Sequence, residues 1–266
     1  MFKTVTKQNT RDLISEFVKT DFTLKYNNSI LGFLWVLLKP LVMFLILFII
    51  TSRVFPNNGI KFYPLYLLMG TIMLSYWNEG TSFGMKALLD KANLILKVNF
   101  PRYIAIVSSV LLPLINFLIN LVIFILIELI FFRTVPSIGG IALFLFALIT
   151  MFLIILDFSL FTSIIYARLR DLGSIWELVL NLMFWITPVV YTLDTIKGKS
   201  DIIGFAVEYL NPVSVVLQAT RTGLIPDSGQ SFNIWGLVVW FFVSIFLLIT
   251  GYYYFRQRVP RIAESI

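Results

Sequence analysis

Four carboxylates stand inside long apolar stretches of this chain: Glu79, Glu128, Asp157 and Glu177. An ionisable group is costly in hydrocarbon, so it faces a bundle interior or water, where it can relay protons. None is obviously paired with another for general acid–base work. The chain has no histidine and no cysteine. That removes imidazole bases, Ser–His dyads, H-E-x-x-H zinc sites, thiolate metal sites and disulfides. Gly198-Lys199-Ser200 invites a phosphate loop, but G-x-x-x-x-G-K-[ST] needs glycine at position 193, where Leu193 stands. The chain is therefore expected to bind no nucleotide by that route, to hold no metal or cofactor of its own, and to be no enzyme.

Other polar residues recur at helical spacing within apolar runs. One stripe holds Ser75, Asn78, Glu79, Ser82 and Lys86; another holds Ser109, Asn116 and Asn120, with Pro113 beside them. A third runs Glu177, Asn181, Phe184, Pro188, Tyr191. Tyr76, Trp77, Trp176 and Trp185 sit next to these stripes. A sugar offers C–H faces to aromatic rings and hydroxyls to polar groups. Tyr76, Trp77, Glu79, Glu177, Asn181, Phe184, Trp185 and Tyr191 are thus candidates for a glycan path. The same residues suit interhelical hydrogen bonding and interfacial aromatic belts equally well.

The elements that must position them are membrane helices. Hydrophobic residues make up 59% of the 266 positions and charged ones 13%, about half the share usual in soluble domains. Six segments are long enough to span, at about 31–53, 62–86, 102–132, 138–166, 173–192 and 233–255. Residues 202–225 are also apolar, but Asn211-Pro212 splits them into halves too short to cross, which read as re-entrant or surface helices that stay on one side. Six spans put both termini on one side. That side carries fourteen Lys and Arg (Lys3 to Lys25, Lys86 to Arg102, Arg168 and Arg170, Arg256 to Arg261) against six opposite, among them Arg221. The positive-inside rule places it in the cytoplasm. The net charge of +7 is thereby assigned to cytoplasmic loops rather than to nucleic-acid binding. The first 29 residues contain no apolar core of a secretory signal.

Two shorter elements flank the spans. Residues 10–29 read as an amphipathic helix on the membrane surface, with Leu13, Ile14, Phe17, Val18 and Leu24 on one side and Asp21 and Lys25 intruding. Residues 87–98 read as a second amphipathic helix. Leu88, Leu89, Ala92, Ile95 and Leu96 form its apolar face; Asp90, Lys91, Asn93 and Lys97 form the other. Leu94 projects from that polar face. An apolar knob ringed by charges suits a helix seated in a partner's groove. Pro101 then starts the next helix.

The blocks "LGFLWVLLKP", "ANLILKVNFPR", "ARLRDLGSIWELVLNLMFWITPVVY" and "NPVSVVLQATRTGLI", in this order, resemble the permease subunit of ABC exporters for cell-surface polysaccharides such as O-antigen, capsule or teichoic acid. The resemblance covers nearly the whole chain. It implies an all-α, six-span permease forming one domain, working as a homodimer in the bacterial plasma membrane. It implies two cytoplasmic P-loop ATPase subunits that carry the ATP and magnesium. Residues 87–98 would be the coupling helix, and Arg168, Arg170 and Asp171 a second ATPase contact. Residues 202–225 would be outer gate helices. The substrate would be a lipid-linked glycan, with Lys25 and Lys39 as candidates for its diphosphate head. Two rivals are an ion-coupled transporter using Glu79, Asp157 or Glu177, and an intramembrane enzyme on lipid-linked sugars.

Overall fold

The computed structural model describes residues 7–26, 31–54, 60–97, 100–198, 200–226 and 232–262; for residues 7–9, 54, 96, 97 and 260–262 it describes the backbone alone. The ends of the two expected amphipathic helices, 27–29 and Val98, lie outside these residues. The described chain is helical, with no strand: α1 Lys7–Tyr26, α2 Leu34–Val54, α3 Tyr63–Asp90, α4 Ala92–Lys97, α5 Tyr103–Ile127, α6 Ile138–Arg168, α7 Leu172–Ile186, α8 Leu193–Lys197, α9 Asp201–Phe205, α10 Pro212–Leu224 and α11 Ile234–Ile262. A π-helical turn extends α5 over Glu128–Phe132 and another extends α9 over Ala206–Leu210.

Local chemistry sets several of these boundaries. Proline in the first turn opens α3 and α10, where its missing N–H costs nothing. The Asn211 side chain accepts from the N–H groups of Val213 and Ser214, capping α10. Ser137 accepts from Gly140 N–H at 3.0 Å and caps α6. Gly140 and Gly223 let α6 and α10 meet backbone to backbone: a Cβ on Gly223 would stand 3.1 Å from Phe144 N.

The central helix is α3, packed between α5 and α6 with α10 and α11 beyond α6 and α1 along α5. Leu65, Leu67, Met69 and Met73 of α3 are fully buried. Four described helical segments are long and apolar enough to cross a membrane: Leu34–Arg53, Tyr103–Phe132, Ile138–Arg168 and Ile234–Val259. The chain is a multi-pass membrane protein. Of the other two expected spans, α3 has 28 residues, about 42 Å at the α-helical rise, but its polar stripe dilutes its hydropathy. A helix surrounded by protein can carry such a stripe, since little of it meets lipid. Helix α7 has 15 residues, about 22 Å and short of a hydrocarbon core. The halves Asp201–Leu210 and Pro212–Leu224 bend by 79° at Asn211, the break expected from the sequence.

Candidate functional site

A cavity of about 250 Å³ opens between α2, α3 and α5. Its polar lining comes from Lys39, Ser75, Asn78, Glu79, Asn116 and Asn120, and Tyr76 lends its ring. The spacing of Ser75, Asn78 and Glu79 along α3, and of Asn116 and Asn120 along α5, turns each stripe toward this space. Pro113 also lines the cavity, and Pro40 does so from α2, each sparing one backbone hydrogen bond within its helix. Glu79 is the hub: Lys25 donates to its Oε2 at 3.1 Å and Asn116 Nδ2 donates to the same oxygen at 2.8 Å. The Tyr26 hydroxyl donates to Asn116 Oδ1, and Asn120 Nδ2 donates to the carbonyls of Asn116 and Val36. Lys39 stands exposed at the rim, with no ion-pair partner among the described residues. Lys25 is instead committed to Glu79, so of the two lysines suggested for an anionic head only Lys39 offers an unpaired charge.

The α4 end of the bundle is built differently from the sequence reading. Residues 88–98 are not one helix. Helix α3 runs on to Asp90, the chain breaks at Lys91, and α4 starts at Ala92. The break turns Lys91 inward, leaving it 5% exposed. Its ammonium donates to Ala105 O, Ser108 Oγ and Ser109 Oγ at 3.2, 2.6 and 2.9 Å and pairs with Asp21 at 2.9 Å. Burial pushes the Lys91 ammonium down from its ordinary range, and Asp21 opposes that shift. Lys91 therefore belongs to the interior rather than to a polar rim. Asp90, Asn93 and Leu94 remain exposed, Leu94 at 40%. The Lys97 side chain lies outside the described residues.

Helix α1 is held to this end from the side. Leu13, Ile14 and Phe17 pack around Phe100, Ile104 and Ala105. Phe17, Asp21 and Lys25 follow at intervals of four, one helical face, so the same face that is apolar at its start delivers one charge to α3 and one to the α3–α4 break. The intruding charges of the sequence stripe are thus ion pairs with Lys91 and Glu79. Leu24, grouped with the apolar face by sequence, is left 71% exposed.

The remaining predicted residues divide between the core and an open face. Tyr76 and Trp77 are buried: Tyr76 packs on Phe117, and Trp77 joins Phe158 and Trp176 in an aromatic cluster linking α3, α6 and α7. Trp176 Nε1 donates to Thr81 Oγ1 there. In α7 only Leu180 is buried; Glu177, Asn181 and Trp185 are exposed, Trp185 at 72%, and Phe184 and Tyr191 are half-buried. The Tyr191 hydroxyl donates back to the carbonyls of Trp185 and Ile186. Arg168, Arg170 and Asp171 are exposed in and beside the short α6–α7 turn. The carboxylates weighed as proton relays are not bonded to one another: Glu79 is paired with Lys25, Glu177 is exposed, and Asp157 is buried with neither oxygen bonded.

One cluster escaped the sequence reading. Arg221, counted there as a loop charge, is fully buried. Its Nε donates to Tyr66 O, Nη1 to Pro188 O and Nη2 to Val189 O, at 3.1, 2.6 and 2.9 Å, and its guanidinium carbon lies 3.3 Å from the Tyr66 ring centre. The Tyr66 hydroxyl donates to Pro188 O and Tyr191 O, Tyr63 to Val190 O, and Asn211 Nδ2 to Thr187 Oγ1. The segment Thr187–Tyr191, where Pro188 ends α7, is thereby clamped to α3 and α10. A Cβ on Gly70 would collide with the guanidinium. An arginine amid apolar residues of 213–225 was the available signal; its partners, being mostly backbone carbonyls, leave no trace in side-chain type.

A family model described as "ABC-2 type transporter" matches residues 13–225. The chain belongs to the ABC-2 type transporter family. The matched stretch takes in α1 from Leu13, the cavity, α4, α7 and the Arg221 clamp. The "O-antigen export system permease protein RfbA" of Myxococcus xanthus is 26% identical over 260 residues, covering 96% of both chains. A protein of the same description from Klebsiella pneumoniae is 25% identical over 259 residues, covering 96% of this chain and 95% of its own. As an ABC-2 permease the chain works with an ATPase subunit.

Proposed function

We propose that this chain is the permease of an ATP-driven exporter that moves a lipid-linked cell-surface polysaccharide out across the bacterial plasma membrane. End-to-end similarity to O-antigen export permeases carries the substrate class. The unpartnered faces of α2 and α7 support the assembly. On this reading α3 crosses with the four long helices, and α7 crosses with the following Thr187–Tyr191 segment making up its missing length, giving six crossings with both termini cytoplasmic. The Asp201–Leu224 pair dips into the outer side as a gate. An exposed Glu177 and Asn181 on a membrane helix are costly against lipid. A second copy of the chain, with a wet path between the two, removes that cost. Two ATPase subunits then dock on α4, around Leu94 and Asn93, and on the turn with Arg168, Arg170 and Asp171.

ATP and magnesium act in the partner. ATPase motion reaches α4, and Lys91 at the α3–α4 break passes it to α1 through Asp21 and to α5 through Ser108 and Ser109. Helix α1 ends at the cavity through Lys25 and Glu79. Docking and the cavity are thus joined by a continuous set of contacts, which can bias two permease states only if each ATPase state favours a different one. Lys39 at the cavity rim is the group offered to the anionic head of the lipid-linked substrate.

Deleting the gene for this chain tests the function. The expected result is loss of polymer from the cell surface with lipid-linked polymer retained inside, restored by wild type. Surface polymer at normal levels in the deletion strain defeats the proposal.

A further inference from the structure

A groove of about 440 Å³ lies between α5, α6 and α11, on a face to which α2 and α7 contribute nothing. Leu156, Leu160, Leu248 and Ile249 line its length, and Tyr103 and Tyr252 close one end with their rings 6.2 Å apart, edge to face. The lining is almost wholly carbon. Arg256 follows Tyr252 by one turn of α11 and falls on the face that presents Leu248, Ile249 and Tyr252. Arg102 is the N-cap residue of α5, immediately before Tyr103. The two arginines therefore flank the same tyrosine-closed end. Arg256 is exposed, and neither arginine has an ion-pair partner among the described residues.

We propose that this groove binds a phospholipid with an anionic head, one acyl chain lying along the groove and the phosphate held by Arg102 and Arg256. Tyrosines at the mouth fit the depth of a membrane interface, where one end of the ring is apolar and the other wet. Two arginines without an ion-pair partner among the described residues, one next to Tyr103 in the chain and one a helical turn beyond Tyr252, beside a carbon-lined slot match a molecule with one charged end and one hydrocarbon end. The occupant is a bilayer lipid rather than the carrier of the exported polymer, because the groove shares no lining residue with the α2–α3–α5 cavity. This rests on the Arg256 end lying at a membrane surface, and does not depend on which polymer is moved.

The test uses the intact permease–ATPase complex in nanodiscs of phosphatidylglycerol and phosphatidylcholine, released gently and examined by native mass spectrometry. Wild type is expected to retain phosphatidylglycerol in preference. Arg256→Gln should lower that preference about fivefold, the worth of one arginine near an anionic surface. Ile249→Trp, on an exposed position of α11, should fill the slot and reduce retention of both lipids. Each variant is first shown to keep its ATPase subunit, which separates lipid loss from misfolding. Equal retention of the two lipids by wild type, unchanged retention in both variants, or displacement of phosphatidylglycerol by added polyprenyl phosphate would overturn the proposal.

Discussion

Lys91 and Arg221 show how a buried cation can be satisfied in two ways, and the two ways predict different mutational costs. Lys91 has one carboxylate and three neutral oxygens. Asp21 keeps a quarter of its side chain in solvent, whereas Lys91 keeps almost none. Removing Asp21 strands a buried charge; removing Lys91 leaves a carboxylate that can reach water. Asp21→Ala should therefore cost about 3 kcal/mol and Lys91→Met about 1 kcal/mol, read as thermal midpoints of the purified complex. A larger loss for Lys91→Met would mean that the serine contacts, not the ion pair, hold the junction. Arg221 is bonded to carbonyls alone, so Arg221→Met leaves Tyr66, Pro188 and Val189 oxygens without that donor, a loss of about 2–4 kcal/mol. Gly70→Ala displaces the same guanidinium and should cost a similar amount. Because both changes break one contact, the double variant should lose clearly less than the sum. Full additivity would show that Gly70 and Arg221 act separately.

At the scale of elements, the short α4 makes the sharpest functional claim. Its inward side is fixed by Lys91 at the break, and its outward side presents Leu94 beside Asn93 and Asp90. Leu94 is 40% exposed, and on the proposed reading that exposed part seats in a groove of the ATPase. Leu94→Asp should weaken ATPase binding about thirtyfold, the effect of one hot-spot residue worth about 2 kcal/mol, with the permease's own thermal midpoint unchanged. Pull-down of the ATPase at wild-type level by Leu94→Asp would remove Leu94 from the docking surface. Leu94 was legible in the sequence because one apolar residue broke a polar face. The break at Lys91 was not, since residues 88–98 keep helical periodicity through it; only the tertiary reward of four oxygens for one ammonium turns the chain there. The same holds for α1, where the charges that spoiled an amphipathic stripe turned out to be its attachment to α3 and to the α3–α4 break. The apolar runs, the Asn211-Pro212 split and the polar stripes of α3 and α5 were readable because periodicity and proline act locally. Which stripes met in one cavity, and that Tyr76 and Trp77 are packed in the core, depended on helix neighbours that no local pattern encodes.

Two of the poorly covered described helices, α2 and α7, stand at the margins of a well-packed α3–α5–α6 centre. Apolar exposure alone is satisfied by lipid. Glu177 and Asn181, four residues apart on α7, are not, and they argue for water or protein against that face. In a two-fold dimer the same face serves both copies, and residues near the axis meet their own equivalents. The absence of native cysteine makes the test clean. A single Asn181→Cys should give a disulfide-linked dimer under mild oxidation in membranes. Val122→Cys, on an exposed position of α5, should not, at equal expression. If the two variants cross-link alike, collision in the membrane explains the product and α7 has no privileged place. If neither does, α7 can still line a path too wide for a disulfide, which tolerates only about 4.4–6.8 Å between Cα atoms. A longer bis-maleimide spacer then separates the cases: it should join Asn181→Cys and spare Val122→Cys when α7 faces a second α7 across a water-filled gap. Failure of the spacer as well would place α7 against lipid, and with it Glu177 and Asn181 would lose their part in the exported chain's route.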